Sequence, residues 1–287
     1  MKEEFNVFGF CDGMSCGQLG LNKAKVHYDN YFAAEINKDA IKVTQHHFPK
    51  TIQLGDVTKI TKNQLPKIDL FIGGSPCQSF SSAGDGTGFE GKSGLFYEYV
   101  RLLNELQPKY FFFENVRMKK EWLTIISKQL GVDPIVVNSN SVSAQNRPRI
   151  YLTNIPNFEP IVDRKIYLED IIEKYVSEKY WLKQKNVDLL LKKININNAP
   201  ELCCIDVYNR KCKLDRKCPT LTLPNHNSIR VLQDGRIRKL TEIECERLQN
   251  VPDDFTNVGL SYSSRVSMLA NGWTIDVIEH FFKNLNK

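Results

Sequence analysis

The strongest constraint on this chain is a rhythm: short runs that are apolar on both faces, separated by stretches of helical periodicity. Asn6–Phe10, Tyr31–Glu35, Ile68–Gly73, Tyr110–Phe113, Pro134–Asn138 and Ile150–Asn154 have the length and composition of strands. Strands apolar on both faces belong to a sheet covered on both sides, and such sheets are mostly parallel. Between them, Ser93–Gln107 sets Leu95, Phe96, Tyr99, Leu102, Leu103 and Leu106 at helical spacing and stops before Pro108. The alternation predicts an α/β fold built on a doubly wound, mostly parallel sheet. At 287 residues and 41% hydrophobic composition, the chain can bury one large domain and a small second one.

The rhythm breaks after about Pro156. Residues 157–235 are richer in Lys and Asn and less periodic, and they are expected to form a separate small domain between a first part, 1–156, and a final segment, 236–287. Helical signals return there. Thr241-Glu242-Ile243-Glu244 has the form of a capping box, and Ile275, Val277, Ile278, Phe281 and Phe282 give a last helix one apolar face. That face suits a segment returning to the first domain's core. No stretch has the length of a membrane span, and the first ten residues carry no apolar run ending in a cleavage site. The expectation is a cytoplasmic protein with no membrane partner.

The eight cysteines form no C-x-x-C pair, so a zinc module is not expected. Cys203, Cys204, Cys212 and Cys218 with His226 have poor chelating spacing, and no metal is assigned. The formal net charge is +6, but Asn209–Lys239 alone holds nine Lys or Arg against Asp215 and Asp234, a local net of +7. Such a segment suits a polyanion; a solvated lysine-rich loop explains it equally well.

Several strand ends carry chemistry. The first runs into Cys11-Asp12-Gly13-Met14-Ser15-Cys16-Gly17, a glycine turn before a helix, where backbone amides can approach a ligand. It is not G-x-G-x-x-G, which argues against a dinucleotide enzyme. Glu35 closes the second strand, placed to hold ribose hydroxyls, and Asp56 follows another short run. Cys77 stands in Gly73-Gly74-Ser75-Pro76-Cys77-Gln78, just beyond a strand and a rigid proline, before the small-residue segment Ser79–Gly94. That placement can hold a thiol in a cleft, although an inert buried thiol is the ordinary fate of a lone cysteine. Glu114 ends the wholly apolar Phe111-Phe112-Phe113, where burial would raise its pKa and make it a proton donor. Arg147 and Arg149 precede a strand at alternating positions, which would turn both side chains to one side.

The ordered set F-C-D-G-M-S-C-G, A-E-I-N, G-D-V, G-G-S-P-C-Q-S-F, F-E-N-V and Q-N-R-P-R-I-Y resembles the motif series of cytosine-C5 DNA methyltransferases. Arg238–Thr256 and Leu269–Phe282 resemble the family's ninth and tenth motifs. D-G-M-S-C-G, Trp273 and P-T-L-T-L-P-N-H-N-S-I are closest in style to the catalytic domain of de novo DNA methyltransferases, in a compact bacterial or phage form. The resemblance implies a Rossmann-like fold of the class I S-adenosylmethionine-dependent methyltransferases with a small target-recognition domain at 157–235. It implies methyl transfer from S-adenosylmethionine to C5 of cytosine in double-stranded DNA at a specific short sequence, on a base flipped out of the duplex.

The same resemblance distributes the roles. Cys77 is the nucleophile that adds to C6, Glu114 acts at N3, and Arg147 and Arg149 take O2 or phosphate. Cys11, Asp12, Gly13, Met14, Cys16, Glu35, Ile36, Asp56, Val57, Pro76, Asn271 and Trp273 surround the cofactor, leaving S-adenosylhomocysteine as product. Gln78, Ser79, Ser82, Gln145, Arg210, Lys211, Arg216, Thr220, Thr222 and Arg230 face DNA. A cognate restriction enzyme is a candidate partner. A tRNA methyltransferase of the same family and a non-catalytic binding module remain as alternatives. The first is disfavoured by the lack of a C-F-T signature, the second by the presence of Cys77, Glu114 and Arg149 together.

Overall fold

The computed structural model describes residues 4–76, 88–90, 94–196, 199–224 and 229–286. The chain divides into two compact units. One comprises Met1–Val137, Pro148–Pro160 and Val277–Lys287; the other comprises Asn138–Arg147 and Ile161–Asp276.

The first unit contains β1 (Asn6–Phe10), α1 (Cys16–Lys23), β2 (Asn30–Ala34), α2 (Lys38–His47), β3 (Ile52–Gln53), β4 (Leu70–Gly73), α3 (Leu95–Leu106), β5 (Tyr110–Val116), α4 (Lys120–Leu130), β6 (Ile135–Asn138) and β7 (Pro148–Thr153). Among the described residues these strands form one sheet in the order β3-β2-β1-β4-β5-β7-β6. The pairs β1–β2, β1–β4, β2–β3 and β4–β5 are parallel, and β7 runs antiparallel to β5. This is the expected doubly wound, mostly parallel α/β sheet. Strand order reverses between β1 and β4, and the carboxyl edge at such a reversal is where α/β sheets bind ligands.

Both faces of the sheet are covered, as the apolar runs require. On one face Tyr99 of α3 stacks on Phe71 at 4.4 Å, with Phe10 edge-on at 5.3 Å. On the other, Phe281 and Phe282 each lie 5.2 Å from Phe112. β5 runs three residues past the expected Phe113, because its antiparallel partner continues the ladder to Val116 opposite Arg149.

The second unit holds α5 (Leu168–Ile171), α6 (Gln184–Leu191), β8 (Cys203–Asp206), β9 (Lys211–Lys213), β10 (Ile229–Gln233), β11 (Arg236–Arg238), α7 (Glu242–Leu248) and α8 (Tyr262–Asn271), and α9 (Ile275–Phe282) follows. Its strands form an antiparallel sheet ordered β11-β10-β8-β9 over a small core of Leu190, Ile194, Cys203, Ile205, Leu232 and Ile237. The capping box read at Thr241 is formed, with its hydroxyl accepting from Glu244 N and the Glu244 carboxylate accepting from Thr241 N. Among the described residues no helix is long and apolar enough to cross a membrane.

Candidate active site

Register sets the site. Ala34, Phe10, Gly73 and Phe113 are successive partners across β2, β1, β4 and β5. Parallel strands in register bring the next residues, Glu35, Cys11, Gly74 and Glu114, to a common carboxyl edge. Residues spread over more than a hundred positions of sequence therefore leave the sheet side by side.

At the β1 end the backbone is tightly wound. Cys11, Gly13 and Ser15 all take left-handed conformations, at φ 49, 60 and 62°. Such values are uncommon for Cys and Ser and persist only where surrounding contacts hold them. Those contacts are visible. Ser15 and Tyr31 donate their hydroxyls to Asp12, Gln18 donates to Ser15 Oγ and Thr51 Oγ1, and Tyr28 donates to Gln18. Glu35 accepts from Gly13 N at 2.8 Å and from Ile36 N and Asn37 N at 2.8 and 2.7 Å. Tyr31 and Gln18 were not singled out in the sequence; a buried polar residue at a strand or helix start carries no local signature.

Three carboxylates act on this turn. Burial, then Glu35, Asp12 and Asp56 in that order, pushes the Cys11 thiol up to about 12. Burial likewise pushes the Asp12 carboxyl up to about 7, against the Ser15 and Tyr31 hydrogen bonds. Asp56 instead caps the short 3-10 turn Val57–Lys59, and the Thr58 amide and hydroxyl lower its pKa. Ile36 is 73% exposed beside Glu35, an apolar surface with no core to join. A Cβ at Gly13 would meet nothing within 4 Å, so the turn faces open space. The Met14, Cys16 and Val57 side chains are buried, which leaves only their backbones for a ligand. Asn271 ends α8, exposed, and Trp273 is half-buried just beyond it, both in the second unit.

At the β4 and β5 ends, Gly74 admits no side chain. A Cβ there would lie 2.4 Å from the Glu114 carbonyl oxygen. Buried Asn115 donates through Nδ2 to both the carbonyl and the hydroxyl of buried Ser75, each at 3.1 Å. Half-buried Pro76 follows. Cys77, Gln78, Ser79 and Ser82 lie outside the described residues. The segment that leads into Cys77 is thus fastened to the strand end that carries Glu114, and Asn115, quoted earlier only as part of E-N-V, makes the fastening.

Glu114 is not alone in an apolar pocket. Arg149 Nε stands 3.1 Å from Glu114 Oε1, with 12% of each side chain exposed. Arg147 was expected beside Arg149 as a ligand of O2 or phosphate; its guanidinium is engaged within the second unit. It is 2% exposed and donates to the carbonyls of Leu221, Ala270 and Gly272 at 3.2, 2.8 and 2.9 Å, all within the second unit. The alternation rule holds only inside a strand, and β7 begins at Pro148. Gln145 is corrected as well: it is fully buried, donating to Leu248 O and accepting from Leu221 N, and cannot reach DNA. Thr220 is half-buried and donates to Asn146 O, and Thr222 is half-buried.

The basic segment also contracts. Arg238 is buried on Glu244, Lys217 Nζ donates to the Asn140, Ser143 and Ile166 carbonyls, and Arg236 and Lys213 pair with Glu178 and Asp215. Arg216 pairs with Glu169 and lies over Tyr167, with 56% of its side chain exposed. Half-buried Arg230 donates to the Ile229 carbonyl, and burial lowers its pKa. Arg210 and Lys211 are exposed. Among the described residues no group of three or more His, Cys, Asp or Glu could hold a metal ion; His226 lies outside them.

The family model for C-5 cytosine-specific DNA methylases matches residues 5–287. The orphan methyltransferase M.SPRI of Bacillus phage SPR is 31% identical over 248 residues, covering 69% of this chain and 56% of that protein. The type II methyltransferase M.FnuDI of Fusobacterium nucleatum is 26% identical over 314 residues, covering 91% and 89%. The chain thus spans little more than half the length of the phage relative. Among solved structures, a DNA modification methyltransferase encoded within an E. coli prophage superposes with a TM-score of 0.72 at 20% identity, covering 98% of each chain, a likeness of fold. Motif order, sheet order and a family match over nearly all of the sequence agree: the chain belongs to the C-5 cytosine-specific DNA methylase family.

Proposed function

We propose that this chain transfers a methyl group from S-adenosylmethionine to C5 of cytosine in double-stranded DNA at a specific short sequence, by covalent addition of Cys77 to C6 of a flipped-out base. The observation that carries the proposal is the row of strand ends that sets Glu35, Cys11, Gly74 and Glu114 on one edge, with Arg149 paired to Glu114.

The β1 edge fits the cofactor. Glu35 and Asp56 place negative charge where a sulfonium and an ammonium group need it, and Asp12 adds to it as its carboxyl ionises near pH 7. Glu35 has one carboxylate position beyond its three amide donors for ribose hydroxyls, and exposed Ile36 offers a face to an adenine ring. Cys11, Gly13, Met14, Cys16 and Val57 would act through their backbones, Pro76 from the next strand end, and Asn271 and Trp273 from the second unit. When bound, S-adenosylmethionine supplies an electrophilic methyl group.

The chain's own groups prepare the base. Cytosine C5 is a poor nucleophile, and addition of the Cys77 thiolate at C6 makes it enamine-like. Glu114 holds N3 as charge builds in the ring, and Arg149 takes O2 while fixing the Glu114 carboxylate. Asn115, through Ser75, positions the segment that ends at Cys77. Loss of the C5 proton and departure of the Cys77 sulfur restore the aromatic ring. Residues 157–235 are read as the target-recognition region, and a cognate restriction enzyme stays a candidate partner in a bacterial or phage-infected cell.

The test is methyl incorporation from labelled S-adenosylmethionine into unmethylated plasmid DNA and, in parallel, into tRNA. Labelled 5-methylcytosine in the plasmid, abolished by Cys77→Ser, is expected. Label in tRNA alone, or in neither, overturns the proposal.

A further inference from the structure

Behind the β1–α1 turn lies a set of buried polar side chains that the cofactor reading leaves unused. Tyr31 of β2 is 2% exposed, and its phenol donates to Asp12 Oδ1 at 2.5 Å. Buried Ser15 donates to Asp12 Oδ2 at 2.6 Å, and buried Gln18 donates to Ser15 Oγ and Thr51 Oγ1, each at 2.8 Å. Buried Thr44 of α2 donates to the Gly13 carbonyl at 3.3 Å. Ser15 stands at the N-cap of α1, where a serine hydroxyl ordinarily accepts from the first helical amides; here it makes no such cap and serves Asp12 instead.

Two glycines leave room for the Asp12–Tyr31 contact. A Cβ at Gly9 would lie 2.3 Å from Asp12 Oδ1 and 2.8 Å from Tyr31 Oη, and one at Gly17 would lie 2.7 Å from Tyr31 Oη. A buried hydrogen-bonded pair can be exchanged for apolar packing with little loss of stability, so stability alone does not explain this arrangement. What the arrangement holds is a turn with Cys11, Gly13 and Ser15 at positive φ, a conformation that surrounding contacts must maintain.

We propose that Tyr31 is a positioning residue for S-adenosylmethionine, acting through Asp12 to fix the backbone of the β1–α1 turn in the shape that receives the cofactor. This rests on the reading of the β1 edge as the cofactor site and adds to it a residue on the neighbouring strand. The phenol fixes one carboxyl oxygen and Ser15 the other, so the carboxyl has a single orientation, while the Asp12 carbonyl accepts from Ser15 N at 3.1 Å within the same turn. Without the phenol, Asp12 Oδ1 loses that donor, and the turn has to be ordered when the ligand arrives. Preorganisation of this kind sets affinity and leaves the chemical step alone.

The test compares wild type, Tyr31→Phe and Tyr28→Phe. Tyr31→Phe keeps the ring and removes the hydroxyl. Tyr28→Phe removes a phenol that reaches Asp12 only by way of Gln18 and Ser15. Titration calorimetry with S-adenosylhomocysteine gives the folded fraction from the stoichiometry and, separately, the affinity of that fraction. KM for S-adenosylmethionine and kcat on unmethylated plasmid DNA are measured alongside. Tyr31→Phe should weaken S-adenosylhomocysteine binding roughly tenfold, the scale for one hydrogen bond to a buried carboxyl. KM for S-adenosylmethionine should rise in parallel with kcat at saturating cofactor little altered, and Tyr28→Phe should change neither. Wild type that binds S-adenosylhomocysteine no better than Tyr31→Phe overturns this inference alone. So does a fall in kcat without a rise in KM, or an equal loss in Tyr28→Phe, which would mark a general loosening of the unit. Wild type that does not bind S-adenosylhomocysteine at all overturns the reading of the β1 edge and the inference with it.

Discussion

Asp12 is the residue on which the cofactor turn closes, and its chemistry makes the turn sensitive to pH. Its carboxyl takes hydrogen bonds from Ser15 and Tyr31, and burial lifts its pKa from 3.8 to about 7. The folded chain therefore keeps a proton on Asp12 that the unfolded chain releases near pH 4. Where the native state binds more protons, stability falls as pH rises. The Asp12 contribution is complete below about pH 4 and is lost progressively up to and through about pH 7. Asp12→Asn keeps the shape without the titration. Its melting temperature should gain on wild type steadily from pH 5 to pH 8, and a constant difference across that range would refute the assignment. At this scale the sequence was legible where a residue stood in a named motif, as Asp12, Glu35 and Glu114 did. It misled where a side chain's direction depended on a strand boundary. Arg147 and Arg149 look equivalent in Q-N-R-P-R, yet Pro148 begins β7 between them: Arg149 pairs with Glu114, while Arg147 donates to carbonyls of the second unit.

Elements were legible in proportion to their periodicity. The apolar face of α9 was readable because Ile275, Val277, Ile278, Phe281 and Phe282 repeat at helical spacing, and all five are buried. The four-stranded sheet was not foreseen, since its strands are three to five residues long and sit among Lys and Asn with no clear alternation. Its connection to α7 was partly readable from the capping box. The structure adds that Arg238, fully buried, pairs with the same Glu244 carboxylate that caps Thr241 N, and that Gln233 accepts from the same guanidinium. The end of β11 and the start of α7 therefore share one buried charge pair. Thr241→Ala removes the hydroxyl that accepts from Glu244 N and leaves that pair intact. It should destabilise the protein by about 1 kcal/mol in urea unfolding, the usual loss for an N-cap. Arg238→Ala, which strands Glu244 without its partner, should cost several times as much, on the order of 3–5 kcal/mol. Equal losses would show that the helix cap, and not the buried pair, holds this corner.

For the whole molecule, the proposed chemistry makes a demand that binding alone does not. The net charge of +6 would let an inactive member of the family hold DNA just as well. What distinguishes an enzyme is that a nucleophile, an acid with its cation and a methyl donor act on one ring in one event. A duplex in which every cytosine is 5-fluorocytosine separates the cases without knowledge of the target sequence. Addition of Cys77 at C6 and methylation at C5 can proceed on that ring, but C5 then carries fluorine where a proton should leave, so the sulfur cannot be released. Wild type should form a protein–DNA complex that survives denaturing electrophoresis, and only when S-adenosylmethionine is present. Cys77→Ser should form none while still binding the duplex. Arg149→Ala should slow complex formation by a factor of about 100 or more, the scale for loss of one preorganised group that stabilises developing charge. Arg147→Ala should act differently: its guanidinium ties three carbonyls of the second unit, so its removal should lower the melting temperature more than the trapping rate of the folded fraction. A trapped complex that forms equally well with Arg149→Ala would leave Cys77 as nucleophile but remove the Glu114–Arg149 pair from the reaction.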